Sequence, residues 1–126
     1  MGRATYVSKR MHGWAISEHL LRIRMKDKSY PPEYVFAFLA SWDYGYPLLT
    51  ALRHGKDVPE IDSADLENLH IPQAPAETVA RIVGMVQDAF SAVDRANQGL
   101  IEARSRLLSR LGWSEQRIPA QLSLET

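Results

Sequence analysis

The chain has 126 residues, 45% hydrophobic and 24% charged, with Lys plus Arg equal to Asp plus Glu at 15 each. These figures describe an ordinary globular sequence of one domain with at most an appendage. No cysteine is present, which excludes a disulfide scaffold, a thiolate metal site and a cysteine nucleophile.

The zero net charge conceals an asymmetry. Residues 1 to 56 hold nine Lys and Arg against four Asp and Glu, a balance of +5, and residues 57 to 126 hold six against eleven, a balance of −5. A basic part joined to an acidic part implies two surfaces with different partners. No apolar run reaches the roughly 18 residues that a membrane helix needs. The opening "MGRATYVSKRMHGW" has basic residues but no apolar stretch behind them, so a secretory signal is not expected and a cytoplasmic location is.

In chain order, "TYV" at 5 to 7 is β-prone and reads as a partner strand for the segment from Leu21, with "SKRMHG" at 8 to 13 as the connecting loop. From Leu21 the chain alternates: Leu21, Ile23 and Met25 would face a core, and Arg22, Arg24 and Lys26 would face outward. That pattern predicts a half-buried strand with a basic outer face. "SYPPEYVFAFLASW" predicts a helix over 32 to 42, because paired prolines are tolerated at a helix start and Glu33 suits the positive end of the dipole. Its apolar face would be Tyr34, Val35, Phe38, Leu39 and Trp42. "DYGYP" breaks the pattern, and a second helix is expected over 46 to 54 with Gly55 as a left-handed cap. "VPEI" reads as a strand fragment, "DSADLENL" as a helical turn capped by Asp62 or Ser63, and "LHIP" as extended.

Pro75 opens the dominant feature. No proline occurs from Ala76 to Leu111, and Val79, Val86, Val93, Leu100 and Leu107 recur every seven residues. Ile82, Ala89, Ala96 and Ala103 sit three positions further on, and Val83, Phe90 and Leu111 widen the stripe. At about 1.5 Å per residue the helix exceeds roughly 50 Å. A sustained heptad predicts packing along another helix, from a second chain or from its own domain, with Asn97 and Arg104 as polar interruptions that fix register. The expected fold is therefore α+β: a small antiparallel sheet with short packing helices, then one long helix that pairs as a coiled coil. The boundaries are 1–73, 74–112 and a tail at 113–126.

Catalytic parts are missing. His12, His19, His54 and His70 are scattered, with no pair at metal-ligand spacing. There is no glycine-rich phosphate loop and no Gly-x-Ser-x-Gly turn. Glu60, Asp62, Asp65 and Glu67 have the oxygen chemistry for Mg²⁺, but no lysine follows Lys56, and capping explains them better. No enzyme activity, cofactor or metal is expected. Binding has more support. Lys9, Arg10 and His12 crowd a loop beside Trp14, Arg22, Arg24 and Lys26 share a strand face, and Arg53, His54 and Lys56 surround Gly55. Cations spaced along a surface neutralise a phosphate backbone.

The order of these pieces resembles one known family. "GRATYV" at 2 to 7, "GWAISEHLLRI" at 13 to 23, "PPEYVFAFLAS" at 31 to 41 and "HGKDVPEIDSADLENLHIPQAP" at 54 to 75 are followed by the long helix to about 108. That sequence of motifs looks like the C-terminal half of a target-recognition domain, plus its spacer helix, from a type I restriction–modification specificity subunit. The glycine turn followed by a strand, the capped turn and the "L-x-I-P" stretch are its most specific part. The resemblance implies a non-catalytic module that reads double-stranded DNA. It also implies that the helix packs against a second specificity half and docks the methyltransferase (modification) subunit. By position, Lys9, Arg10, His12, Arg22, Arg24, Lys26, Arg53, His54 and Lys56 are the expected DNA-binding residues. Val79, Ile82, Val86, Phe90, Val93, Leu100 and Leu107 are the expected helix-packing seam. The chain departs from the family in having one recognition unit, without the portion expected before "GRATYV", and the helix start "PQAPAETVARI" lacks a common Glu-Gln pair. It would then be a remnant, a separately encoded half-subunit or a fragment. The alternative is a truncated relative that uses the helix to bind a partner and reads no DNA.

Overall fold

The computed structural model describes residues 3–17, 19–55 and 60–113. Its regular elements are a short 3-10 turn at Lys9–Met11 and four α-helices: α1 Pro32–Leu39, α2 Gly45–Ala51, α3 Ser63–Glu67 and α4 Ala76–Arg110. The chain divides into two compact units, Met1–Ser91 and Ala92–Thr126.

Each helix has a local cause. Pro31 sits at φ −57° and ψ 144°, the extended geometry that a following proline imposes, and Pro32 takes the first helical position, where no amide hydrogen is needed. Ser41 joins the end of α1 to the start of α2. Its hydroxyl donates to the Phe38 carbonyl at 2.7 Å and accepts from the Gly45 amide at 2.9 Å. Gly45 is buried at this junction, and a β-carbon there would strike the Phe38 and Leu39 carbonyls. The α1–α2 corner therefore closes only around a glycine. The Asp62 carboxylate caps α3 by accepting from the Ala64 amide at 3.3 Å. At the end of α4 the Trp113 amide donates to the Leu108 carbonyl at 2.9 Å and the Gly112 amide to Ser109 at 3.2 Å. Gly112 has φ 69°, so a left-handed glycine terminates the helix as expected of a Schellman motif.

The core lies in the first unit. Val35, Leu39 and Leu49 are buried, and Ala4, Met25, Phe38, Ile61, Leu66, Leu69 and Ile71 pack around them. The Tyr34 hydroxyl reaches the Pro72 carbonyl at 2.8 Å, which ties α1 to the segment leading into α4.

The expected antiparallel sheet is not formed. Among the described residues there is no strand, and the one β-type pairing is an isolated antiparallel bridge between His54 and Glu60. The fold is mostly helical, not α+β. Alternation along 21 to 26 favours an extended backbone but cannot supply a ladder partner. The segment best placed in sequence to be that partner, 5 to 7, is engaged elsewhere. The Tyr6 ring lies 6.0 Å from Phe36 and 5.0 Å from Phe90, and its hydroxyl is hydrogen-bonded to Glu33. Leu21 and Ile23 remain about half exposed, and only Met25 reaches the core.

The short helices also end earlier than expected. α1 stops at Leu39, which leaves Trp42 off its apolar face and 72% exposed, stacked flat on Tyr46 at 4.7 Å. α2 stops at Ala51. Gly55, at φ 98°, turns the chain between the bridge residues rather than capping that helix. Of the "VPEI" fragment, Val58 and Pro59 lie outside the described residues, and Glu60 makes the isolated bridge. Among the described residues no helix is long and apolar enough to cross a membrane.

Candidate nucleic-acid interface

The 3-10 turn at Lys9–Met11 exposes Lys9 and Arg10, and His12 follows at its end, where its amide donates to the Lys9 carbonyl at 3.1 Å. Gly13, at φ 79°, turns the chain back toward Trp14. The Arg10 guanidinium lies 5.1 Å from the centre of the Trp14 ring, a cation–π contact that orients the charge on an exposed aromatic face. Arg22, Arg24 and Lys26 are all exposed on the irregular segment before α1. That segment ends in a turn at Asp27, where hydrogen bonds from the Ser29 side chain and amide hold the Asp27 carboxyl below its ordinary pKa.

The third group is less available. Arg53 Nε donates to the Thr50 carbonyl at 3.2 Å, folding the side chain onto the end of α2. His54 Nε2 sits 3.5 Å from an Asp65 carboxylate oxygen, so an acid faces the loop where cations were expected to collect. Lys56 lies outside the described residues. The three groups occupy three different elements, and each is solvated where described.

Comparison with known protein families, curated proteins and solved structures gives no match for this chain. The functional reading therefore rests on the residues themselves.

The helix seam divides into two parts. Val79, Ile82, Val86 and Phe90 are half-buried within the first unit. Phe90 meets Phe36 edge-on at 5.4 Å and completes a three-ring cluster with Tyr6. Val79 and Val83 form one wall of an open groove of about 590 Å³, opposite Tyr30, Pro31 and Tyr34. In the second unit the same stripe is uncovered: Val93 is 51% exposed, Leu100 70% and Leu107 59%. The first half of the seam thus serves the chain's own fold, and the second half is free to meet another surface.

Sequence reasoning missed one polar contact. Glu33 is buried in the first turn of α1, and one of its oxygens accepts from the Tyr6 hydroxyl and from Gln87 Nε2, each at 2.9 Å. Burial pushes the Glu33 carboxyl up. Hydrogen bonds from Gln87, its own amide and Tyr6 outweigh that, and the pKa lies below its ordinary value. Burial, then the hydrogen bond and charge of Glu33, push the Tyr6 phenol up. The partners stand 27 and 54 residues away, so no local pattern announces them. Glu60, Asp62, Asp65 and Glu67 do not converge: among the described residues no three His, Asp or Glu side chains are grouped to hold a metal ion.

Proposed function

We propose that this chain is a DNA-recognition module of the type I restriction–modification specificity kind. In this reading Lys9, Arg10, His12, Arg22, Arg24 and Lys26 meet the phosphate backbone of double-stranded DNA. The free part of α4 packs on a second specificity half, which includes another copy of this chain, and docks a methyltransferase subunit. The module is not itself catalytic, needs no cofactor, and works in the cytoplasm. Lys56 belongs to the same set, and Arg53 and His54 contribute less, because they already bond Thr50 and Asp65.

The observation that supports DNA contact most is the exposure of Lys9, Arg10, His12, Arg22, Arg24 and Lys26 in one stretch of chain. The resemblance in motif order supplies the identity of the polyanion. The experiment is duplex-DNA binding by fluorescence anisotropy from about 50 to 200 mM KCl, with and without a co-expressed methyltransferase subunit. If the five Lys and Arg of this stretch each neutralise a phosphate, log K falls against log salt with a slope of about −4.5. Replacing Lys9, Arg10, Arg22 and Arg24 with alanine removes most of that slope. Salt-independent binding, or an unchanged slope in the variant, refutes the phosphate contacts.

A second reading is favoured by the uncovered Val93, Leu100 and Leu107: a helix-mediated interaction protein without DNA recognition. Its signature is partner capture that persists while no duplex binds at low salt.

A further inference from the structure

We propose that the cleft between α2 and α3 is a docking groove for a basic amphipathic segment of a partner protein, a site distinct from the basic stretch Lys9 to Lys26. Tyr44, Leu48 and Leu52 stand four residues apart on one face, and their register is held by backbone bonds of 3.2 Å from Leu48 to Tyr44 and from Leu52 to Leu48. Tyr44 is 69% exposed and Leu48 42%, unusual for the packing face of a helix. Leu48, Leu52 and Leu69 form the apolar lining of a cleft of about 300 Å³, with Asp65, Asn68 and His70 as its polar lining. Leu69 also packs against the core, so the lining is anchored from within. The volume lies at the lower limit for a small-molecule site, and suits an inserted anchor side chain better than a whole ligand.

Charge selects the occupant. From Asp57 to Ala80 the sequence has no lysine or arginine, and Glu60, Asp62, Asp65 and Glu67 fall on or beside α3. Glu60, Asp62 and Glu67 are exposed, and Asp65 lines the cleft itself. Such a border repels phosphate and attracts lysine and arginine. An amphipathic helix that seats one leucine or aromatic residue in the cleft and sets basic residues against α3 satisfies both features.

The test uses the full chain, isotopically labelled, titrated with a short synthetic helix of leucine and lysine and followed by NMR. Shifts are expected at Leu48, Leu52, Asp65, Asn68, Leu69 and His70. Leu48→Ser, at an exposed position, should weaken binding about tenfold, the order of burying part of a leucine. Glu60→Gln with Asp65→Asn and Glu67→Gln should weaken it and flatten its salt dependence. A leucine–glutamate helix should not bind. Equal binding of that acidic helix, shifts confined to the basic stretch or to α4, or unchanged affinity in Leu48→Ser overturns the proposal. So does duplex DNA that shifts the cleft residues directly.

Discussion

Leu100→Asp together with Leu107→Asp isolates what the free part of α4 does. The two side chains are 70% and 59% exposed. Full burial of a leucine is worth roughly 1.5–3 kcal/mol, so covering the exposed fractions contributes about 2–4 kcal/mol per chain. In a symmetric pair both copies contribute, about 4–8 kcal/mol, which corresponds to roughly three to six orders of magnitude in the dissociation constant. Aspartate adds the cost of desolvating a charge, so the double variant should be monomeric, and should lose any methyltransferase subunit that the wild type captures. Val86 is the wrong place for this test, because it is half-buried in the first unit and a charge there would disturb the fold as well. Sedimentation velocity up to about 200 µM reads the assembly, since dimer stability depends on protomer concentration. Circular dichroism and melting check that the fold is kept. The reasoning is refuted if the variant assembles as the wild type does. It is equally refuted if the wild type is monomeric throughout and captures no methyltransferase subunit.

Gly45→Ala should cost about 1–3 kcal/mol in urea unfolding, because its methyl group meets backbone carbonyls that cannot move aside; a neutral result would mean that the α1–α2 corner is looser than described. Tyr34→Phe removes the bond to the Pro72 carbonyl and should cost about 0.5–1.5 kcal/mol by the same measurement. Glu33 has a folded pKa below its ordinary 4.5, so its stabilising contribution is complete above that pH and is lost as pH falls through the lower folded value. Thermal melts from neutral pH downward should therefore show the gap between wild type and Glu33→Gln closing below about pH 4.5; a constant gap contradicts the hydrogen-bonded carboxylate. Gly112→Ala should fray the end of α4 at a cost of about 1 kcal/mol, visible as faster amide exchange at Leu111 and Trp113.

Local chemistry made the helices legible. An uninterrupted heptad without proline defines α4 almost to its ends, the Pro31–Pro32 pair starts α1, and Asp62 caps α3. The strand reading failed because alternation records a preference of one segment, whereas a sheet needs two, and Tyr6 commits the other segment to Glu33, Phe36 and Phe90. The Glu33 contacts were hidden for the same reason, since each partner is remote in sequence. Heptad spacing also cannot tell a self-packed stretch from a free one. Only the structure distinguishes half-buried Phe90 from exposed Leu100. The basic residues proposed to meet DNA were visible as charges, but the approach of His54 to Asp65 was not.

The three tryptophans fall at three different places, and each is largely in water: Trp14 beneath Arg10, Trp42 against Tyr46, and Trp113 just beyond the terminus of α4. Indole emission shifts to the blue when water is removed, so these residues are built-in fluorescent labels. Single-tryptophan versions of the chain would report separately on the basic stretch, the α1–α2 corner and the helix end. An added duplex, peptide or second subunit would reveal by the colour and quenching of one emitter which surface it had touched, with no dye attached.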